Sequence, residues 1–155
     1  MTTTSSVQTF WESYLATLPE KHLHRFVPLP EAWSFGDGPE MANELGSLVM
    51  QGKKTATCSR YLGENILETS TISTLLDGHK NPLGVVETFE ITVRRYCDID
   101  AEWAAAEGEG NLSLDYWRSE HWTFFIRGAA DGSYTVSEDM LLACERLRIV
   151  HQATS

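Results

Sequence analysis

The stretch Gly52-Lys53-Lys54-Thr55-Ala56-Thr57-Cys58-Ser59-Arg60 constrains the fold more than any other part of this chain. It opens on a glycine suited to ending a helix and runs straight into a β-branched, strand-like segment. Helix and strand therefore meet here. Lysines, threonines and an arginine occupy a segment that would ordinarily be apolar. Buried charge is costly unless partnered, so the segment suggests a site whose partners lie elsewhere in the chain.

The 155 residues suit one domain, residues 1–155, with a substantial core. A net charge of -10 argues against a broad phosphate-binding surface, since nucleic-acid affinity rests largely on lysine and arginine. A nucleic-acid contact must then be local, or the ligand small. Cys58, Cys97 and Cys144 are odd in number and widely spaced, which implies no disulfide framework and suits a reducing cytosol. Met1 to Ser6 is polar, without an apolar signal region, and no run reaches the ~20 apolar residues a bilayer span needs. The expectation is a soluble, cytoplasmic protein with no membrane partner.

Residues 1–6 read as a frayed tail and 7–32 as an N-terminal helical extension. In that extension Phe10 and Tyr14, and also Trp11, Leu15 and Leu18, recur at helical spacing up to Pro19. Pro28, Pro30, Trp33 and Phe35 mark an aromatic loop. Asp37-Gly38-Pro39 opens a second helix with Met41, Leu45, Leu48 and Val49 on its apolar stripe, ended by Gly52. Lys54 to Arg60 reads as a strand. Residues 62–73 are ambiguous. Asp77-Gly78 marks a hairpin turn into an alternating strand in which Val85, Glu87, Phe89, Ile91 and Val93 share a face. Ala101 to Ala106 forms a short helix broken at Gly108 and Gly110. Ser113 caps another, with Leu114, Trp117, His121, Phe124 and Phe125 inward, and Leu141 to Val150 closes the chain as a strand. The class is α+β: helices flanking a mostly antiparallel, barrel-like sheet.

A partly desolvated Lys54 can act as base or nucleophile, and Thr57 offers a hydroxyl three residues on. Period-two geometry puts the two on opposite strand faces unless the strand starts irregularly or Lys54 precedes the regular ladder. A solvated helix end is the plain alternative. Glu87 in an apolar register is either functional or paired to Arg60, Arg94 or Arg148. Glu107-Gly108-Glu109-Gly110 reads as a polar loop, or as two carboxylates on a backbone able to approach a ligand closely and facing Lys54. The histidines show no metal spacing, and no cofactor motif is present, so neither a metal nor a cofactor is expected.

Ser34-Phe35-Gly36-Asp37, Gly52-x-Lys54-Thr55-x-Thr57, Asp77-Gly78 with Val85-Val86-Glu87-Thr88, Ala106-Glu107-Gly108-Glu109-Gly110 with Trp117-Arg118 and His121, and Ala143-Cys144-Glu145-Arg146 occur in this order. Together they resemble the ASCH domain over Trp33 to Ile149. The resemblance implies a PUA-like β-barrel with flanking helices and a cleft beside the Gly-x-Lys motif. It also implies RNA or modified nucleosides as partners. Some small relatives look like amidohydrolases that deacylate N4-acetylcytidine, and others have been described as ribonucleases. The resemblance carries the catalytic roles of the amidohydrolase branch onto Lys54, Thr57 and Glu109. Trp33 and Phe35 could then stack on a base and Arg60 or Arg118 steer a phosphate, with Glu87 a further binding residue. A ribonuclease acting on single-stranded RNA, or a non-catalytic binding module, is the alternative.

Overall fold

The computed structural model describes residues 6–36, 38–63 and 71–153. The tail at 1–5, Asp37 and most of the ambiguous segment lie outside the described residues. Helix α1 spans Ser6–Leu15, a 3-10 turn spans Leu23–Phe26, and the two-residue strand β1 is Ala32–Trp33. Helix α2 is Pro39–Met50, followed by β2 (Ala56–Arg60), β3 (Thr71–Leu76) and the long strand β4 (Pro82–Arg95). After a 3-10 turn at Tyr96–Asp98 come α3 (Ala101–Glu107), α4 (Leu114–Gly128) and β5 (Leu141–Gln152).

The sheet runs β1-β3-β4-β5-β2, antiparallel throughout except for the parallel β1–β3 edge. Among the described residues it is an open sheet with β1 and β2 at its edges, which corrects the expected barrel. The reason is short edges: two paired residues in β1 cannot reach round to the five of β2.

Each face of the sheet centre is covered by a different helix, so neighbouring residues of β4 are both buried. Val85 packs with Trp11 and Tyr14 of α1, whereas Val86 packs with Phe35, Val49 and Leu75 on the α2 side. Burying Trp11 and Tyr14 is what attaches the N-terminal helix to the domain. Further along β4, Phe89 is the extra residue of a bulge against β5. The expected apolar face fails there: Phe89 and Val93 are partly exposed, with the Arg148 guanidinium lying over the Phe89 ring. The third cluster, Trp103, Trp117, Phe125, Leu142 and Cys144, seats α3 and α4 on the β2–β5 end. At the other end the β3–β4 turn docks on α2 through a hydrogen bond from Gly78 N–H to Asn43 Oδ1 at 2.7 Å.

Candidate functional site

Backbone geometry places Lys54. Helix α2 ends with Gly52 at φ +75, whose N–H donates to Val49 O while that of Lys53 donates to Leu48 O. This is the Schellman pattern, and it needs a residue at ease in the left-handed region. The N–H of Lys54 also donates to Leu48 O, and that of Thr55 to Ala106 O, so the segment turns inward towards the end of α3 before β2 begins. Lys54 thus precedes the regular ladder, an arrangement that frees it from the opposite-face rule.

Helix α3 delivers the carboxylates. Asp100 caps it by accepting from Trp103 N–H at 2.8 Å, and Gly108 ends it at φ +71. A Cβ on Gly108 would lie 2.1 Å from the Lys53 carbonyl oxygen, so only glycine lets the α3 terminus meet this backbone. Gly108→Ala is expected to lower stability by about 2 kcal/mol or more, read by urea denaturation, because it adds left-handed strain to a backbone clash.

Lys54 is a fully buried cation. Its Nζ lies 2.6 Å from Glu109 Oε2, 3.3 Å from Glu107 Oε1, 3.0 Å from Ala56 O and 3.3 Å from Glu107 O. Four oxygens thus surround a group with three donors. The Phe35 ring closes one side, its centroid 5.4 Å from Nζ. Glu107 is buried more deeply than Glu109. Its Oε2 accepts from the indole N–H of Trp103 at 2.9 Å and of Trp117 at 2.6 Å, and from the Cys58 thiol at 3.2 Å. His121 donates from Nδ1 to Trp117 O at 2.8 Å, and its Nε2, which donates when the ring is protonated, lies 3.4 Å from Glu107 Oε1.

Burial opposes ionisation of Glu107, but hydrogen bonding to His121 and the Lys54 charge outweigh it and lower its pKa from the ordinary 4.5 to about 2. A depressed carboxylate stabilises the fold above its unfolded pKa, and that stability is lost as pH falls through the folded value. About 3 kcal/mol should therefore disappear between pH 4.5 and about 2. Denaturation curves across that window check it, and Glu107→Gln should flatten the slope.

Lys54, Thr57, Glu109 and Phe35 share an open cleft of about 100 Å³, with Met41, Leu45, Cys58, Glu107, Glu120, His121 and Phe124 among the other lining residues. The volume is below that of pockets enclosing drug-sized ligands, roughly 300 Å³ and up, so the enclosed part suits one ring or acyl group. Trp33, Arg60, Glu87 and Arg118 are elsewhere. Trp33 stands edge-on behind Phe35 and donates to Ser73 Oγ at 2.8 Å. Arg60 lies over the Tyr134 ring at 3.6 Å. Glu87 accepts from Arg148 and faces the α1 side of the sheet with Val85. Arg118 lines a separate groove with Tyr96, Ser119 and Trp122.

The sequence places Glu107 beside Glu109 opposite Lys54 without giving it a role of its own, and assigns no site role to Cys58, Glu120 or His121. The available signal for Glu107 was its place four residues after Trp103, one helical turn along the same face. Donor atoms of Cys58, Glu107 and His121 lie within 4.8 Å of one another. Both Glu107 oxygens are already engaged by indoles, a thiol and an ammonium, so a divalent cation there would have to sit against Lys54. The trio reads as an internal hydrogen-bonded knot.

The ASCH domain matches residues 31–151. The crystal structure of an ASCH domain from Lactobacillus crispatus is similar at TM-score 0.86, with 26% identity over 95% of each chain. A crystal structure from Enterococcus faecalis, described as DUF984, is similar at TM-score 0.82, with 32% identity over 95% of this chain and 89% of that one. No curated protein matches the sequence. With its sheet, its helices and most of its length accounted for, the chain belongs to the ASCH domain family.

Proposed function

We propose that the cleft is the active site of an amidohydrolase that removes the acyl group from N4-acylated cytidine, taken as the free nucleoside. The observation that carries this reading is the Lys54–Glu109 contact at 2.6 Å, inside a cleft that Thr57 also lines. The ASCH family is generally linked to RNA binding, and an RNA-derived nucleoside lies within that chemistry. Charge favours the nucleoside over the polymer. The lining carries three carboxylates, Glu107, Glu109 and Glu120, against the single ammonium of Lys54, whose donors are all engaged. Arg60 and Arg118 face other surfaces, so among the described residues the lining offers no free cation to a phosphate.

In the proposed reaction Lys54 Nζ passes a proton to Glu109 and takes the Thr57 hydroxyl proton as Oγ1 attacks the acyl carbonyl. The C–N4 bond breaks, N4 takes up a proton, and cytidine leaves. Water then hydrolyses the acyl-threonine, releasing the carboxylic acid and restoring the hydroxyl. Phe35 offers an aromatic edge or face to the base.

The test is incubation of the purified protein with N4-acetylcytidine and, separately, with short single-stranded RNA, following products by mass. Cytidine and acetate in equal amounts are expected. Cleaved RNA with intact acetylcytidine would favour the ribonuclease reading, and saturable binding without either product would make the domain a binding module.

A further inference from the structure

Cys58 and Cys144 form a cross-strand pair that the proposed hydrolysis does not use. They are directly opposed in the β2–β5 ladder, so their side chains project from the same face of the sheet. Opposed residues on antiparallel strands have Cα atoms about 4.5 or about 5.5 Å apart, according to the type of pair. Both spacings fall inside the roughly 4.4–6.8 Å window of protein disulfides. The two thiols are close enough for each to alter the acidity of the other. Both are free in the structure. Access is asymmetric: Cys58 lines the open cleft, whereas Cys144 is sealed in the cluster of Trp103, Trp117 and Phe125.

We propose that Cys58 and Cys144 are an oxidation site, closing to an intrachain disulfide when a small neutral two-electron oxidant of the peroxide class enters the cleft. One thiol sulfur takes an oxygen atom from the peroxide to become a sulfenic acid, and water leaves. The partner sulfur attacks it, the S–S bond forms, the S–O bond breaks, and the departing hydroxide takes the partner's proton as a second water. Two thiols are oxidised and one peroxide is reduced. A thiol reductant reverses the step by exchange.

The site connects to the cleft through one atom. Cys58 donates its thiol hydrogen to Glu107 Oε2, the carboxylate that also holds Lys54. Oxidation removes that donor and draws the Cys58 sulfur towards β5. Burial, the Cys144 contact and the Glu107 charge all push the Cys58 thiol up, so oxidation should run faster in alkaline than in neutral buffer. Cys97 lies outside the pair, beside Asp98 on the 3-10 turn after β4, and is replaced in the test so that it forms no link of its own.

The experiment treats the folded full chain carrying Cys97→Ser with hydrogen peroxide, blocks remaining thiols, and maps linked peptides by mass. The expected result is a loss of two hydrogens, a single Cys58–Cys144 link, an upward shift in melting temperature, and full reversal by dithiothreitol. Cys144→Ser should abolish the link and leave Cys58 as a sulfenic acid trappable by dimedone. Free thiols at both positions after prolonged treatment, or a link only between chains, would overturn the proposal. Neither outcome bears on acylcytidine hydrolysis, which is measured separately on the reduced protein.

Discussion

Glu107→Ala is expected to destabilise the protein by about 3–5 kcal/mol, the usual result of removing one partner from a buried ion pair. At this chain length that is about 10 °C or more in melting temperature. The physical reason is the number of groups orphaned at once. Two buried indole N–H donors, the half-buried Cys58 thiol and one side of the buried Lys54 ammonium lose their acceptor. Lys54 retains Glu109 and two carbonyls, so the chain should still fold. Glu107→Gln preserves volume and one acceptor oxygen, and should cost less than the alanine. Thermal and urea denaturation of both variants measure this, and a loss below about 1 kcal/mol in the alanine variant would mean that water or a shifted side chain satisfies the knot.

Glu109→Gln should have the opposite profile. Glu109 stands at the cleft edge with its side chain 20% exposed, and among the described residues it forms an ion pair with Lys54 alone. Loss of its charge should cost less stability than Glu107→Ala, because the glutamine oxygen can still accept from Lys54 and the side chain is partly exposed. If the proton leaves Lys54 by way of Glu109, kcat for acylcytidine should fall by about 10²–10⁴-fold, the usual weight of a general acid–base group. Full activity in a folded Glu109→Gln protein would end the proposed proton route. The pair of variants separates two carboxylates that the sequence presents as near-equivalents: in the proposed mechanism Glu107 holds the lysine in place and Glu109 exchanges its proton.

Much of the local structure was legible. Pro39 and Gly52 bracket α2, Asp77-Gly78 marks the β3–β4 turn, and Ser113 caps α4 by accepting from Tyr116 N–H. These signals act over a few residues, where backbone conformation is decided by the side chain next to it. The faces of β4 were less legible, because alternation assumes one apolar side and an unbroken ladder. With α1 on one side and α2 on the other, Val85 and Val86 are both core, and the bulge at Phe89 changes the pairing beyond it.

By itself the sequence determined an α+β chain of ASCH type and a helix-to-strand switch at Gly52, and it put forward Lys54, Thr57 and Glu109 as candidate site residues. Which residues meet was decided only by tertiary structure, since a contact such as Lys54 to Glu109 spans 55 positions and leaves no periodic trace. The fold gathered Lys54, Thr57, Glu109 and Phe35 into one cleft and sent Trp33, Arg60, Glu87 and Arg118 to other partners. It also turned Glu107 from a loop carboxylate into a buried anion between two tryptophans, because α3 continues one turn past Trp103 before Gly108 ends it.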